Sequence, residues 1–409
     1  MKKRILFLVI FALLFLLGCK KEFTEPIREP ITFDLPDKSF EVISGSNKFG
    51  IELFLKTARE ENGNIMLSPL SASAALTMLL NGCENNTFSQ IQQVLGYDGL
   101  SKEQVNNVYK SLVQQLLDAD PNVKLALANA VWYRKGFEVK PPFFQTMNDD
   151  FSAHIEGLDF NLSSALTTMN GWASNNTFGK VPKVLDEISS DAVMFLMNAL
   201  YFKGNWTYQF DKDKTKNSVF YLSDGGEIQV PMMNLELNAN VFFDEKFKAL
   251  ELSYGRKNFS MVIILPDGNI DSFYNDFDDN NWNILSSYFD SSNSSTEWKV
   301  SFPKFKFSYE KFLNDQLISM GMSDAFNSLL ADLSGISDAN LVVDFVKQNT
   351  FVEVNELGTE AAAVTTIGIR ETSAGNNTEF KVNKPFVFAI RERTTNTILF
   401  IGKVVNPNL

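Results

Sequence analysis

One stretch near the C-terminal end of the chain constrains the fold more than any other. Residues 355–375 read NELGTEAAAVTTIGIRETSAG and lie between β-branched, apolar runs. These runs are Leu341–Val354 on one side, and Phe380–Arg391 and Thr397–Val405 on the other. Loops of about twenty residues are uncommon in compact domains and are usually functional or disordered. The stretch is therefore predicted to be a long loop between strands.

The small residues of this loop alternate at the period of a β-strand. One face would carry Thr359, Ala361, Ala363, Thr365, Ile367 and Ile369, and the other Glu360, Ala362, Val364, Thr366, Gly368 and Arg370. Alanine and glycine are depleted in strands, so the segment would be a poor core strand. Its small side chains would nevertheless let it enter an existing sheet without first opening a wide gap. Two interpretations stay open at this point: a flexible connector, or a strand held in reserve.

The N-terminus predicts export. Met1–Arg4 is basic, and Ile5–Leu17 is an apolar run too short for an ordinary membrane-spanning helix. The sequence LLGC, ending at Cys19, resembles a bacterial lipoprotein box, in which the cysteine becomes the lipidated N-terminus. The alternative is an ordinary cleaved signal with a chance cysteine. We expect residues 1–18 to be a signal peptide and residues 19–38 a polar tether. The protein would then be lipid-anchored to the bacterial cell envelope, at the outer membrane or the cell surface.

Composition excludes several classes of function. A net charge of −12 argues against a nucleic-acid partner, because phosphate binding depends on Lys and Arg. His154 is the only histidine and Cys83 the only cysteine after Cys19, so no internal disulfide can form and a multi-histidine metal site is excluded. No hydrolase, zinc-protease or phosphate-loop motif occurs. The acidic pairs at 149–150 and 278–279 resemble loops. We expect no metal, no cofactor and no enzymatic activity.

Periodicity predicts a mixture of helices and strands with no repeat and no boundary between two domains. Helices are predicted at Ser46–Glu61, Ser71–Asn81, Phe88–Leu95, Lys102–Leu117, Pro141–Phe151, Ser163–Asn175 and Glu310–Met320. Strands are predicted at Val123–Tyr133, Ala192–Phe202, Val219–Leu222, Ile228–Met233, Val241–Phe243, Lys248–Ser253, Ser260–Leu265 and Trp298–Phe307. Because the elements do not alternate as βαβ units, the fold class is α+β.

Seven segments, in order and at fitting spacings, resemble the serpin family. They read NIMLSPLS from residue 64, NALYFKGNW from 198, FPKF from 302, ADLSGI from 331, NELGTEAAA from 355, NKPF from 383 and FIGKVVNP from 400. The resemblance extends from about Phe40 to the C-terminus. It implies one serpin domain at 39–409, with three β-sheets, eight or nine helices and an exposed reactive-centre loop at about 356–379.

The resemblance also implies a function. An inhibitory serpin offers its loop to a serine or cysteine protease, is cleaved and acylated, and inserts the cleaved loop into its large sheet before deacylation. The implied activity is therefore endopeptidase inhibition by a suicide substrate, acting as a monomer. The alternative is a non-inhibitory serpin that serves as a binding or structural module. A charge at position 359 or bulky residues at 361–363 would have favoured that alternative.

The family's functional positions are carried over one at a time. The hinge falls on Glu356, Gly358, Thr359, Glu360, Ala361, Ala362 and Ala363. Its small residues agree with an inhibitor, and Leu357 replaces the family's usual charged residue. Trp206 matches the breach, where insertion begins, and Ser68 and Asn198 match the shutter beneath the sheet. The family's shutter histidine falls on Gln348, which should keep a hydrogen-bonded gate but lose its pH response.

The scissile bond has three candidate positions. Counting from Gly358 places the bond at Thr372-Ser373, whereas counting back from the NKPF segment gives Ala374-Gly375. Both choices predict elastase-like, subtilisin-like or papain-like targets, because a small residue precedes the bond. Arg370-Glu371 would suit a trypsin-like protease but shortens the inserting strand. The helix from Lys102 lacks a basic cluster, so no glycosaminoglycan activator is expected.

Overall fold

The computed structural model describes residues 29–292, 296–359 and 378–409. These ranges contain nine α-helices. They are α1 (Ser39–Glu60), α2 (Pro69–Gly82), α3 (Asn85–Val94), α4 (Lys102–Asp118), α5 (Pro141–Asp149), α6 (Ser163–Asn176), α7 (Ile270–Asp276), α8 (Asp279–Ser291) and α9 (Asn314–Met320). The first six predicted helices are confirmed, although α1 begins seven residues before the predicted start.

The strands of the described ranges are β1 (Ile65–Leu67), β2 (Val123–Arg134), β3 (His154–Leu158), β4 (Met194–Asn205), β5 (Lys216–Tyr221), β6 (Glu227–Asn238), β7 (Val241–Phe243), β8 (Phe247–Ser253), β9 (Phe259–Pro266), β10 (Glu297–Pro303), β11 (Phe305–Phe312), β12 (Lys347–Asn355), β13 (Gly358–Thr359), β14 (Glu379–Lys381), β15 (Phe386–Glu392) and β16 (Thr397–Val404). They form three sheets, and the α+β class is confirmed.

Two of the sheets have six strands each, and they differ in completeness. The first, which we call the closed sheet, has the order β1-β16-β15-β9-β8-β7. The second, which we call the open sheet, has the order β11-β12-β13-β4-β2-β3. The third sheet is smaller, with the order β14-β10-β6-β5. In the open sheet, β2 and β4 form a long antiparallel pair, from Val123 opposite Gly204 to Tyr133 opposite Met194.

The predicted strand Trp298–Phe307 is wrong as a single element. It divides at Lys304 into β10, which belongs to the small sheet, and β11, which belongs to the open sheet. The alternation changes phase at the break, because Phe302 and Phe305 are both buried although they lie three residues apart. The helix predicted from Glu310 is also wrong over its first residues. They complete β11, whose ladder with β12 runs to Phe312 opposite Lys347, and the helix begins only at Asn314.

Some elements were not predicted, among them β1, β3, α7 and α8. The interpretation of the acidic pair at 278–279 as a loop is wrong. Asp278 is the N-cap of α8, where its side chain accepts from the Asn281 amide in a capping box, and Asp279 begins the helix. A carboxylate suits a helix N-terminus because it accepts hydrogen bonds from backbone N–H groups that have no partner within the helix. In the other acidic pair, Asp149 is the last residue of α5 and Asp150 is its C-cap.

The described end of the predicted tether lies against the body. The Asn258 side chain accepts from the Ile31 amide and donates to the Ile31 carbonyl, both at 2.8 Å. The Gln115 amide group makes the same pair of bonds with Asp34.

Cys83 is buried directly after α2, as is usual for a small residue at a helix end. No helix in the described ranges combines the length and apolar composition that crossing a bilayer requires.

Candidate functional site

The two-residue strand β13 stands at the head of the open sheet. Its two residues pair with both neighbours: Thr359 lies opposite Val354 of β12 and Gly204 of β4, and Gly358 lies opposite Asn355 and Asn205. In the described residues these are the only ladder pairs that connect β12 to β4. Gly358 and Thr359 of the predicted hinge therefore form a two-residue strand at the top of the sheet.

Gly358 cannot be replaced without moving the backbone. Its φ is 151°, within the range that side chains with a Cβ rarely adopt. A Cβ built on it would lie 2.0 Å from the carbonyl oxygen of Gly204 and 2.8 Å from the Cα of Asn205. The glycine at this hinge position is thus required by close backbone approach as well as by conformation.

Thr359 points into the core of the molecule. Its side chain is buried, and its Oγ1 shares a 2.6 Å hydrogen bond with the hydroxyl of Tyr254. The Tyr254 ring stacks on the Trp206 indole, with centroids 4.4 Å apart and planes at 12°. Burial raises the pKa of Tyr254, and the bond to Thr359 offsets only part of that rise, so the phenol stays protonated. Thr359 is therefore held in an uncharged, aromatic pocket.

The turn between β12 and β13 is tied to the residues that follow β4. The Trp206 amide donates to the Leu357 carbonyl at 2.9 Å, and the Trp206 indole nitrogen donates to the Asn355 carbonyl at 3.0 Å. The Phe210 amide donates to the Glu356 carbonyl at 3.0 Å. Because these bonds use backbone oxygens, they hold the turn whatever its side chains are.

Glu356 adds a buried charge to this turn. Its carboxylate lies 3.0 Å from Lys304 Nζ and accepts from the Thr215 hydroxyl at 2.9 Å. Burial alone would raise the pKa of Glu356. Hydrogen bonds from its own backbone, Lys304 and Thr215 outweigh burial and hold the pKa below its ordinary value. The carboxylate is therefore charged at neutral pH and fastens the turn to β10 and β11 through Lys304.

Below β13 the open sheet contains a gap. A cavity of about 540 Å³ lies between β4 and β12. On the inner side it is lined by α2, including Ala72, Leu76 and Leu79, and on the outer side by α6 and the residues after it. The upper part of β4 is buried while most of its lower part, from Met194 to Asn198, is only half-buried. The gap is thus an elongated, largely apolar space with a strand on each side.

Gln348 and Ser68 connect β12 to the start of α2 beneath the gap. The Ser68 amide donates to Gln348 Oε1 at 2.8 Å, and Gln348 Nε2 donates to the Ser68 carbonyl at 2.9 Å. The Ser68 hydroxyl donates to the Leu399 carbonyl and caps α2 by accepting from the Ser71 amide. Gln348 makes both bonds through a single uncharged amide group, and its role as a gate without a pH response stays a prediction.

Asn198 stands on the other side of the gap and belongs to a different network. Its Nδ2 donates to Asn129 Oδ1 at 2.7 Å, and Asn129 in turn donates to the Phe151 carbonyl. Its Oδ1 is buried and has no hydrogen-bond partner among the described residues. The two shutter residues Asn198 and Gln348 therefore lie on opposite walls of the gap, and one wall carries an unsatisfied acceptor.

Several predicted site residues lie outside the described residues. These are the lipidation position Cys19, the hinge residues Glu360, Ala361, Ala362 and Ala363, and the candidate scissile residues Arg370, Glu371, Thr372, Ser373, Ala374 and Gly375. The structure does bring Glu356, Gly358, Thr359 and Trp206 together at the head of the sheet. It places Ser68, Asn198 and Gln348 farther down, around the gap.

Sequence reasoning missed two residues of this site. Tyr254 holds Thr359, yet it follows an ordinary strand, and nothing in its local sequence distinguishes it from a core aromatic residue. Lys304 pairs with Glu356. The sequence offered it as a candidate, because it belongs to the FPKF segment. Its role was not visible because the pairing joins residues distant in sequence.

Comparisons with known proteins agree with this geometry. The family model for serpins (serine protease inhibitors) matches residues 44–407. A serpin-like protein of Methanosarcina mazei is 34% identical over 382 residues, covering 90% of this chain and 88% of the relative. The leukocyte elastase inhibitor of Xenopus tropicalis is 36% identical over 387 residues, covering 89% and 99%.

Among solved structures, the native state of the thermophilic serpin tengpin superposes with a TM-score of 0.81. The two chains are 32% identical, and the match covers 93% of this chain and 97% of tengpin. The chain belongs to the serpin family, whose members are in general protease inhibitors rather than enzymes.

Proposed function

We propose that this serpin inhibits serine proteases, and cysteine proteases of similar specificity, by inserting its cleaved loop into the gap of the open sheet. One observation carries the proposal. Gly358 and Thr359 already pair with both β12 and β4 at the head of a gap into which the described residues place no strand. A segment that follows Thr359 in the same direction would enter the gap between β12 and β4.

The register of β13 supports this direction of entry. Continued residue by residue, it would place Thr365 opposite Asn198 on β4 and opposite Gln348 on β12. Thr365 has the same parity as the inward-pointing Thr359, so its hydroxyl could donate to the unsatisfied Asn198 Oδ1. The small residues at 361 and 363 would enter first, beneath the hinge.

The energy available is large enough for a rearrangement. About 14 inserted residues, each gaining a ladder hydrogen bond of about 0.5–1.5 kcal/mol net, would contribute on the order of 10 kcal/mol. Burial of the aliphatic side chains of Ile367 and Ile369 would add to this. The uncleaved protein is accordingly proposed to be metastable.

We propose Thr372-Ser373 as the scissile bond, with Ala374-Gly375 and Arg370-Glu371 as the alternatives. A small residue before the bond favours elastase-like, subtilisin-like or papain-like proteases. The similarity to a leukocyte elastase inhibitor supports the first of these classes. Mass analysis of the C-terminal peptide released by each protease distinguishes the three bonds.

The direct test is a denaturing gel after incubation with elastase, subtilisin, papain and trypsin. We expect a covalent complex that survives SDS with at least one of them. Clean cleavage by all four without any complex would contradict inhibition and would favour the non-inhibitory alternative.

A hinge variant tests the mechanism more sharply. Thr359→Arg would bring a charge into the pocket formed by Tyr254 and Trp206, where burial of an unpaired charge is costly. We expect cleavage to continue and the covalent complex to disappear, whereas Thr359→Ser, which keeps the hydroxyl, should still form it. A complex of normal yield with Thr359→Arg would show that residue 359 does not insert.

We also propose that Cys19 carries a lipid that anchors the protein to the bacterial envelope. The basic start, the short apolar run and the LLGC segment support this. In a bacterial host, metabolic labelling with a fatty acid should label the wild type and not Cys19→Ala. Label on Cys19→Ala would place the modification elsewhere.

A further inference from the structure

The methionines of the chain divide into two groups by burial. All except Met1 lie in the described ranges, and most of them are at most 2% exposed, namely Met66, Met78, Met147, Met169, Met232, Met233, Met261 and Met322. The remaining three, Met194, Met197 and Met320, are half-buried. A reagent that attacks thioether sulfur from solution should therefore reach these three before it reaches the buried group.

Two of the three half-buried methionines line the gap of the open sheet. Met194 and Met197 belong to the lower part of β4 and border the cavity of about 540 Å³, whereas Met320 ends α9 and does not line it. Because they are three residues apart on a strand, the two side chains lie on opposite faces of the sheet. Met194 packs against the core that includes α2, and Met197 packs against the cluster that includes α6. A thioether thus borders the gap on each face.

The loop and the cysteine of the body do not compete for an oxidant. Residues 355–379 contain neither methionine nor cysteine, so the candidate scissile bonds carry no sulfur. Cys83 is buried, and burial raises the pKa of its thiol, which keeps it out of the thiolate form that peroxides attack. An oxidant would therefore act on this inhibitor through the gap and not through the reactive bond.

The oxidant that fits the gap is a small peroxide. Hydrogen peroxide is little larger than water, whose share of liquid volume is about 30 Å³, so the cavity has room for it. The thioether sulfur attacks one peroxide oxygen, an S–O bond forms and the O–O bond breaks. The proton on the transferred oxygen passes to the departing hydroxide, which leaves as water. The sulfur is oxidised to a sulfoxide and the peroxide is reduced.

We propose that Met194 and Met197 form a modification site, and that oxidation of their thioethers by a peroxide lowers the capacity of the open sheet to accept a strand. This inference rests on the insertion step of the proposed function. A sulfoxide turns an apolar side chain into a polar one that needs a hydrogen-bond donor. Water in the gap can supply the donor before insertion, but a strand that fills the gap would expel that water.

The register indicates which of the two sulfoxides matters more. Continued from β13, the inserting strand would place Ile369 opposite Met194. It would place Thr366 opposite Met197. Directly opposite residues share a face of the sheet, so the aliphatic side chain of Ile369 would cover the Met194 sulfoxide without offering a donor. The Thr366 hydroxyl could donate to the other sulfoxide. Because a polar group buried without a partner is unfavourable, Met194 should carry most of the effect.

The test oxidises the uncleaved protein with hydrogen peroxide and removes the peroxide before any protease is added. Mass analysis of peptides identifies the methionines that have gained an oxygen atom, and we expect Met194, Met197 and Met320 to gain it first. The stoichiometry of inhibition is then measured with a protease that forms a covalent complex with the untreated protein. We expect oxidised wild type to form about tenfold less complex, with cleaved inhibitor in its place, since burial of an unpaired polar group disfavours a state by about that factor or more.

Leucine variants separate the gap from the rest of the molecule. Leucine nearly conserves the volume of methionine and cannot form a sulfoxide, so the double variant Met194→Leu/Met197→Leu should inhibit like wild type before oxidation. It should also keep its inhibition after oxidation, and Met194→Leu alone should protect more than Met197→Leu alone. Met320→Leu is the matched control. It removes the reactive thioether outside the gap and should lose inhibition on oxidation as wild type does.

Three results would overturn the inference while leaving inhibition intact. One is an unchanged stoichiometry after both Met194 and Met197 have become sulfoxides. Another is an equal loss of inhibition in the oxidised double variant, which would assign the effect to a different group. The third is oxidation of the buried methionines as fast as those of the gap. The absence of a complex with every protease before oxidation would instead remove the proposed function, and the effect on trapping with it.

Discussion

The two six-stranded sheets contain the same number of strands but differ at their centres. In the closed sheet, the central strands β15 and β9 pair from Val387 opposite Ile264 to Glu392 opposite Phe259, and every residue of β9, β15 and β16 is buried. In the open sheet, the central strand is β13, with two residues, and the strands beside it border a cavity of about 540 Å³. In the described residues, the pairing of the closed sheet continues through its centre, whereas the central pairing of the open sheet is limited to the two residues of β13.

Buried charges strengthen the same contrast. Arg391 of β15, fully buried in the closed sheet, makes bonds with both Glu251 and Asp290, at 2.8 and 2.7 Å. Such a network tolerates little movement, because separating its members would leave a buried charge unpaired. Across the gap of the open sheet, the contacts in the described residues include the rings of Phe195 and Phe345, 6.1 Å apart, and no buried ion pair joins β4 to β12. We infer that the closed sheet supplies a rigid body, against which the open sheet can rearrange.

The largest expected effect comes from completing the open sheet. Cleavage in the loop should raise the melting temperature by roughly 10–20 °C, since a domain of this size gains only about 1–2 °C per kcal/mol. Circular dichroism melting of the intact and the cleaved protein measures this. Cleaved Thr359→Arg serves as the control and should gain less. An unchanged or lower melting temperature after cleavage of wild type would show that the gap is not filled.

The next effect compares equal truncations in the two sheets. Leu250 of β8 is fully buried in the closed sheet, whereas Leu196 of β4 lines the cavity and is half-buried. Leu250→Ala should cost about 3–4 kcal/mol of unfolding free energy, and Leu196→Ala about 1 kcal/mol, because its neighbours already border empty space. Chemical denaturation of the uncleaved proteins gives both values. Equal costs would remove the distinction between the sheets.

A smaller effect is expected where the hinge meets the body. Tyr254→Phe removes the hydrogen bond to Thr359 and should cost about 1 kcal/mol. Tyr274→Phe is the matched control, since the Tyr274 hydroxyl is buried without a hydrogen-bond partner among the described residues. Tyr274→Phe should leave the free energy of unfolding unchanged or raise it slightly. A larger loss for Tyr274→Phe than for Tyr254→Phe would mean that the hinge bond contributes little.

The smallest effect is a local response to acid. The pKa of Glu356 is lowered in the folded protein, so the charged carboxylate stabilises the folded state. This stabilisation is complete above the pKa of an ordinary glutamate and is lost as the pH falls through the lowered pKa. We expect the turn at 355–357 to loosen below about pH 4. Trp206, which donates to this turn, reports the change as the fluorescence difference between wild type and Trp206→Phe. Glu356→Gln should give a flat profile; an acid transition that persists there would assign the response to another group.

The sequence by itself determined the family, the class and much of the element order. Helical periodicity placed the first six helices, and period-two alternation placed Thr359 on the same face as Ala361 and Ala363. These features were accessible because they depend on neighbours along the chain. Even the substitution of the shutter histidine by Gln348 could be recognised by alignment of motifs.

Only the tertiary structure decided what these elements contact. The alternation from Trp298 to Phe307 changes phase between Phe302 and Phe305, but this change could not show that the two halves join different sheets, because sheet membership depends on partners distant in sequence. The bonds between Ser68 and Gln348 join residues 280 positions apart, and Tyr254 is selected by its stacking on Trp206 rather than by its own sequence. The gap itself is a property of spacing between two strands, and spacing of that kind depends on packing that no local pattern records.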